Sequence, residues 1–143
     1  MKRIYVTGAA GFIGFHLADL LLREGFVVHG FDGMTPYYDP ALKAARLALL
    51  TGRNGFSFTQ GMLEEPGLLA SDMAAFQPDA VVHLAAQAGV RYSLEAPRSY
   101  LTSNIEGTFN VMEAARDCKV GHLMIASTSS VFGANTEMPY RET

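Results

Sequence analysis

The stretch RIYVTGAAGFIG, Arg3 to Gly14, constrains the fold more than any other part of the chain. A short apolar run of β type ends at Thr7, and glycines follow at Gly8, Gly11 and Gly14. A helical pattern begins at once, with Ile13, Leu17, Leu20 and Leu21 on one face and Gly25 as a stop. A strand that turns straight into a helix leaves unpaired N–H groups at the helix N-terminus, where the dipole favours an anion. Side chains in such a turn would hold phosphates away, and a Cβ at the last glycine would push the helix off the sheet. Glycines alone mark ordinary turns. Between a strand and an amphipathic helix, they predict a site for a dinucleotide pyrophosphate.

The same alternation continues along the chain. Strand-type runs are expected at Arg3–Thr7, Val27–Phe31, Phe56–Thr59, Ala80–Leu84 and His122–Ala126. Val81–Leu84 and Leu123–Ala126 have little polar alternation, as expected for strands buried on both faces. Between them, helical spacing predicts Ala41 to Leu50 after Pro40, Leu68 to Phe76, and a longest helix from Ser99 to Asp117. In that last segment Ile105, Phe109, Met112 and Ala115 recur at steps of three or four. The expected fold is α/β, a doubly wound parallel sheet covered by helices, and 143 residues at 49% hydrophobic content suffice for one core.

Composition narrows the function classes. The net charge is −3, and the eleven Lys and Arg are scattered, so no basic stripe points to nucleic acid. The single Cys118 excludes a disulfide framework and suits a reducing compartment. Lys2 and Arg3 before an apolar run could mimic a signal peptide, but three glycines, then His16 and Asp19, interrupt it. No apolar stretch is long enough for a bilayer. A cytoplasmic protein with no membrane partner is expected. His83 ends a buried strand without a His, Cys or acidic cluster beside it, so it reads as a satisfied core imidazole and no metal is expected.

The second strand ends HGFDG, which puts Asp32 at the distance from the glycines where a carboxylate bonds an adenosine ribose diol. Such a carboxylate repels a 2′-phosphate, and Gly33 supplies no arginine to receive one, so NAD is favoured over NADP. The alternative is a plain turn cap before Gly33. Near the end, IASTSSVFG places four hydroxyls, Ser127 to Ser130, after the last strand. Ser and Thr are common in such turns, and by themselves they decide nothing.

Taken jointly, the G-x-x-G-x-x-G spacing, HLAAQAGVRYS (His83 to Ser93), SNIEGTFNVMEAAR (Ser103 to Arg116) and STSSVFG resemble the extended short-chain dehydrogenase/reductase superfamily. Within it the chain is similar to nucleotide-sugar epimerases, and YYDPALKAARLALL (Tyr37 to Leu50) points to the UDP-glucuronate 4-epimerase type. The resemblance implies that Gly8, Gly11, Phe12, Ile13 and Gly14 bind the pyrophosphate of NAD and that Asp32 binds its ribose. Lys43 would reach the same ribose, unless it is a solvated helix charge. Leu84, Ala85 and Ala86 would line the cofactor, Gln87 would lie near the nicotinamide, and Asn104 would steady that loop. Thr128 matches the catalytic Ser/Thr that bonds the sugar hydroxyl being oxidised, with Ser127 and Ser129 flanking it toward the substrate. Arg91 and Ser93 would meet the charged end of the nucleotide sugar, although a loop salt bridge explains Arg91 equally well.

The chain departs from the family pattern at Met62, where an aspartate near the adenine is usual, and at Phe132, where tyrosine is usual. It also lacks the family's Y-x-x-x-K pair: of Tyr5, Tyr37, Tyr38, Tyr92, Tyr100 and Tyr140, none has a lysine four residues on, and Tyr140 stands too near the end to test. The expectation is that residues 1–143 form an incomplete NAD-binding Rossmann domain. The catalytic Tyr/Lys segment and the substrate region would lie beyond it, and the full-length enzyme would be a homodimer acting on a UDP-sugar. The rivals are a dehydratase or decarboxylase of the same superfamily and a non-catalytic dinucleotide-binding module. A dehydratase usually carries an acid pair beside the catalytic hydroxyl, where Ser129 and Ser130 stand here.

Overall fold

The computed structural model describes residues 2–141. Its strands are β1 (Arg3–Thr7), β2 (Val27–Asp32), β3 (Phe56–Gln60), β4 (Ala80–His83) and β5 (His122–Ile125). They form one parallel sheet in the order β3-β2-β1-β4-β5. The order reverses direction at β1. The gap between the loops that leave β1 and β4 is therefore the crevice in which doubly wound sheets bind ligands.

Helices α1 (Phe12–Arg23) and α2 (Pro40–Thr51) connect the first three strands, and α3 (Leu68–Phe76) leads back to β4. Helix α2 starts as its sequence requires: Pro40 occupies the first turn, and the Asp39 carboxylate accepts the Ala41 N–H at 2.9 Å. Between β4 and β5 lie two single turns, α4 (Tyr92–Glu95) and α5 (Pro97–Tyr100). A π-helical segment, Leu101–Glu106, then runs into α6 (Gly107–Asp117).

Strand periodicity divides the core into two layers. Ile4, Val6 and Val28 pack with Ala18 and Leu50 under α1 and α2. Tyr5, Phe31 and Val81 point the other way, onto Leu69, Met73 and Phe76 of α3 and Val111, Ala114 and Ala115 of α6. A polar network ties α3 to the sheet on that second face. The Asp72 carboxylate accepts the Tyr5 hydroxyl at 2.5 Å and the Thr59 hydroxyl at 2.7 Å, and His29 Nε2 lies 2.9 Å away. Burial, and then the bond to Asp72, hold the Tyr5 hydroxyl firmly protonated.

Three expectations need correction. Strand β5 is not buried on both faces: Met124 and Ile125 are 54% and 42% exposed, and among the described residues β5 pairs with β4 alone, at the rim of the sheet. On α1, Ile13 and Leu20 face outward while Gly14 and Ala18 are buried, since the close fit of α1 on the sheet selects the smallest side chains. The long helix is interrupted by the π segment, and its Ile105, Phe109 and Met112 stripe is exposed; Gly107, Val111, Ala114 and Ala115 form the buried face instead. No helix among the described residues is long and apolar enough to cross a membrane.

Candidate functional site

The glycine loop opens the crevice. Gly8 has φ +71°, which favours glycine, and a Cβ there would lie 2.8 Å from the Ala85 nitrogen. At Gly14 a Cβ would meet the Gly8 carbonyl oxygen at 2.1 Å, so only glycine lets α1 start this close to the loop. The Gly8 N–H donates to the Phe31 carbonyl at 2.7 Å, which anchors the loop to β2. Gly11 caps α1 without a side chain, and the N–H groups of the first turn have no partner within the helix. A phosphate-sized space bounded by backbone donors is what a pyrophosphate needs.

Asp32, at the end of β2, is 4% exposed and heavily engaged. Its Oδ2 accepts the Ala10 N–H at 3.0 Å, and its Oδ1 accepts the Met34 N–H at 2.8 Å and the Lys43 ammonium at 3.0 Å. The turn-cap role and the cleft-facing role therefore coexist. Lys43 is no solvated helix charge: α2 carries it back over the end of β2, where it pairs with Asp32. Arg46, one turn farther along α2, lines the same cleft and stacks its guanidinium 5.7 Å from the centre of the Phe12 ring.

Across the crevice, Thr7 and His83 hold the loop after β4. The Thr7 hydroxyl oxygen accepts the N–H groups of Leu84 and Ala85, each at 3.1 Å. Both its lone pairs are then used, so its proton goes to His83 Nδ1, 2.7 Å away. The imidazole proton must therefore sit on Nε2, which donates to Thr108 Oγ1 at 3.0 Å. Burial pushes the His83 pKa down to about 4, in keeping with a neutral ring. His83 is the satisfied core histidine expected of it, and it acts as a strut between β1, β4 and α6.

The same loop is clasped farther on by Asn104. Its Oδ1 accepts the Gln87 N–H at 2.7 Å and its Nδ2 donates to the Gln87 carbonyl at 3.0 Å. Asn104 lies in the π-helical segment, a form that recurs at functional sites. It acts on the cleft through Gln87 and is not itself part of the wall.

One cleft of about 470 Å³ results, within the range of small-molecule sites. The glycine loop with Phe12 and Ile13, then Asp32 and Lys43, and finally Leu84, Ala85, Ala86 and Gln87 all line it. The other expected residues do not. Arg91 is exposed and forms no salt bridge among the described residues, and the Ser93 hydroxyl donates to the Val90 carbonyl at 2.6 Å. Ser127, Thr128 and Ser129 are exposed beyond Ala126, the last residue of the wall. Thr128 caps a 3₁₀ turn, Ser129–Phe132, by accepting the Ser130 N–H at 3.3 Å.

Sequence reading passed over Thr7, Thr108, Arg46 and Glu64. A polar residue closing the apolar strand RIYVT was a usable signal for Thr7. The other three depend on contacts between distant segments, and no local pattern marks them.

The model of a protein family described as GDP-mannose 4,6 dehydratase matches residues 5–143. A probable UDP-glucuronate 4-epimerase of Rhizobium meliloti is 51% identical over 140 residues, covering 98% of this chain and 41% of that protein. The crystal structure of a UDP-glucuronic acid 4-epimerase from Bacillus cereus, in complex with UDP-glucuronic acid and NAD, superposes with a TM-score of 0.86 at 34% identity. It covers 95% of this chain and 43% of that one. A UDP-glucose-4-epimerase from Stenotrophomonas maltophila, with bound NAD and formylated UDP-arabinopyranose, also gives 0.86, at 31% identity, covering 100% of this chain and 42% of that one. The chain thus spans about two fifths of the length of these relatives.

Proposed function

The chain belongs to this nucleotide-sugar-modifying family of extended short-chain dehydrogenases/reductases, and from that premise we propose that it is the NAD-binding part of a UDP-glucuronate 4-epimerase. The observation that carries the reading is the single cleft in which the glycine loop, the Asp32–Lys43 pair and the Leu84–Gln87 loop converge. Its residues fit a dinucleotide: Gly8, Gly11 and Gly14 line the cleft without side chains, and the first turn of α1 offers unpaired N–H groups. When bound, NAD supplies reversible hydride acceptance.

On this reading the whole enzyme oxidises C4 of the sugar to a ketone, lets the intermediate rotate, and re-reduces it from the other face. Gly8 to Gly14 hold the pyrophosphate, Asp32 and Lys43 the ribose, and Thr128 hydrogen-bonds the C4 hydroxyl, with Ser127 and Ser129 beside it. Arg91 and Ser93 face the charged end of the substrate. A threonine hydroxyl is far too weak an acid to serve as the base at neutral pH. The proton of the C4 hydroxyl is therefore assigned to a tyrosine–lysine pair that is absent from these 143 residues, while the C4 hydrogen leaves as hydride to NAD. The relatives' greater length supports assigning that pair to sequence outside these residues.

The description of the matching family names a dehydratase, and that reaction is the second reading. Ser129 and Ser130, where a dehydratase would carry acids, favour the epimerase, as do the epimerase names of the relatives. The exposed stripe Leu101, Ile105, Phe109 and Met112 supports a homodimer of the full-length protein through α6 and the π segment. The free Cys118 is in keeping with a cytoplasmic location.

The test is calorimetric titration of NAD into the chain, followed by an assay for conversion of UDP-glucuronate to UDP-galacturonate by the chain and by the full-length protein. The chain should bind NAD without turnover, and the full-length protein should do both. Gly11→Val should abolish binding while circular dichroism stays native, because Gly11 lines the cleft and the one tight contact of its Cβ, 3.0 Å from the Gly8 oxygen, asks only a small shift of the loop. Normal NAD binding by that variant would reduce the loop to an ordinary turn.

A further inference from the structure

The parallel strand order divides the cleft at the glycine loop. The loops after β2 and β3 flank one side, and those after β4 and β5 flank the other. If the cleft holds NAD, as proposed above, Asp32 takes the adenosine ribose and the adenine lies farther out, against the loop from Gly61 to Glu65. Met62, in that loop, offers only a thioether, a weak acceptor. Glu64 lines the same cleft, and its Oε2 is buried without a hydrogen-bond partner among the described residues. Leaving such an atom unsatisfied is costly, and a donor arriving in the cleft relieves the cost.

The loop that carries Glu64 is held in place on both sides. The Gly61 N–H donates to the Asp32 carbonyl at 3.2 Å, and the Asn110 side chain donates to the Leu63 carbonyl at 2.9 Å. Gly107 lets α6 press against Leu63 so closely that a Cβ would fall 2.8 Å from the Leu63 Cβ. Glu64 makes no ion pair among the described residues, and Lys43 on the same cleft is committed to Asp32. The loop is therefore fixed, while the Glu64 carboxylate is unpaired among the described residues and borders the cleft. An adenine ring has a single donor group at its edge, the exocyclic amine.

We propose that Glu64 accepts a hydrogen bond from the exocyclic amine of adenine and is the residue by which this cleft selects an adenine dinucleotide. The inference rests on the NAD-binding reading, and one experiment separates the two. The dissociation constants of NAD and of nicotinamide hypoxanthine dinucleotide, in which a carbonyl oxygen replaces the amine, are measured for the native protein, Glu64→Leu and Glu64→Gln. The native protein should prefer NAD by about tenfold or more, the effect of one hydrogen bond to a charged acceptor. In Glu64→Leu the preference should shrink to about twofold. Glu64→Gln, isosteric and able to donate to a carbonyl, should narrow or invert it. If the native protein binds neither compound, the NAD-binding reading itself falls. If it binds both equally, or if the native preference survives in either variant, the role of Glu64 is overturned and the NAD-binding reading stands.

Discussion

Thr7 and Thr128 are threonines at or just beyond the C-terminal ends of parallel strands in one sheet, and their hydroxyls are used in opposite ways. Thr7 is fully buried, accepts two N–H groups from Leu84 and Ala85, and gives its proton to His83. Thr128 is exposed and bonds only within its own turn, to Ser130. The first hydroxyl has no bonding capacity left, so it can only hold architecture. The second keeps capacity for a ligand. The surroundings differ accordingly: β1 lies between β2 and β4, whereas among the described residues β5 pairs with β4 alone.

Substitution by valine, which keeps shape and removes the hydroxyl, should separate the two residues most sharply. In the full-length protein, Thr128→Val should lower turnover by about 10²-fold or more while leaving NAD affinity and melting temperature near native. Full activity would return Ser127 to Ser130 to an ordinary strand-end turn. Thr7→Val should behave in the reverse manner. It strands His83 Nδ1 and the Ala85 N–H in the core, while the Leu84 N–H keeps the Thr7 carbonyl, and a loss of about 2 kcal/mol or more in denaturant unfolding is expected, with NAD affinity falling alongside. A Thr7→Val protein of native stability would show that the strut does not matter.

The same strut should be visible in the pH dependence of stability. His83 has a pKa of about 4 when folded against an ordinary 6.5. Between these values the unfolded chain binds a proton that the folded one refuses. Stability from this group is therefore complete above about pH 6.5 and is lost as the pH falls toward 4, by up to about 3 kcal/mol. His29, lowered chiefly by burial and partly restored by Asp72, acts in the same direction. Urea unfolding between pH 4 and 7 should give a flatter curve for His83→Gln than for the native protein. An identical slope would contradict the neutral, buried ring.

The smallest effect is expected at the ribose end. Lys43 neutralises Asp32, so Lys43→Met should leave Asp32 to repel a 2′-phosphate unopposed and widen the preference for NAD over NADP about three- to tenfold. Calorimetry with both cofactors reads this directly. A preference that narrows would mean that Lys43 serves NAD alone.

Much of this was legible in the residues, for reasons that are local. The strands and helices followed from periodicity and from Pro40, Gly25 and Gly52 as punctuation, and the start of the cleft followed from three glycines between a strand and a helix. Asp32 and the Leu84–Gln87 loop followed because both are tied to strand ends by short, regular connections. An incomplete chain was expected to leave β5 an open edge, but the exposure of its faces was not legible. Its residues are as apolar as those of β4, and only the strand order leaves it at the rim. The outward turn of Ile105, Phe109 and Met112 was hidden for a similar reason: a helical repeat states that a face exists, not which neighbour it meets.

The sequence by itself determined the kind of molecule: a parallel α/β sheet whose first turn is shaped for a pyrophosphate. Local backbone preferences and side-chain periodicity suffice for that. Only the tertiary structure decided that Lys43 pairs with Asp32, that His83 carries its proton on Nε2, and that Glu64 is left with an unanswered acceptor. The first two depend on atoms brought within about 3 Å from separate parts of the chain, and the third on none being brought there. Hydrogen bonding is too short-ranged for linear order to reveal such pairings before the sheet assembles.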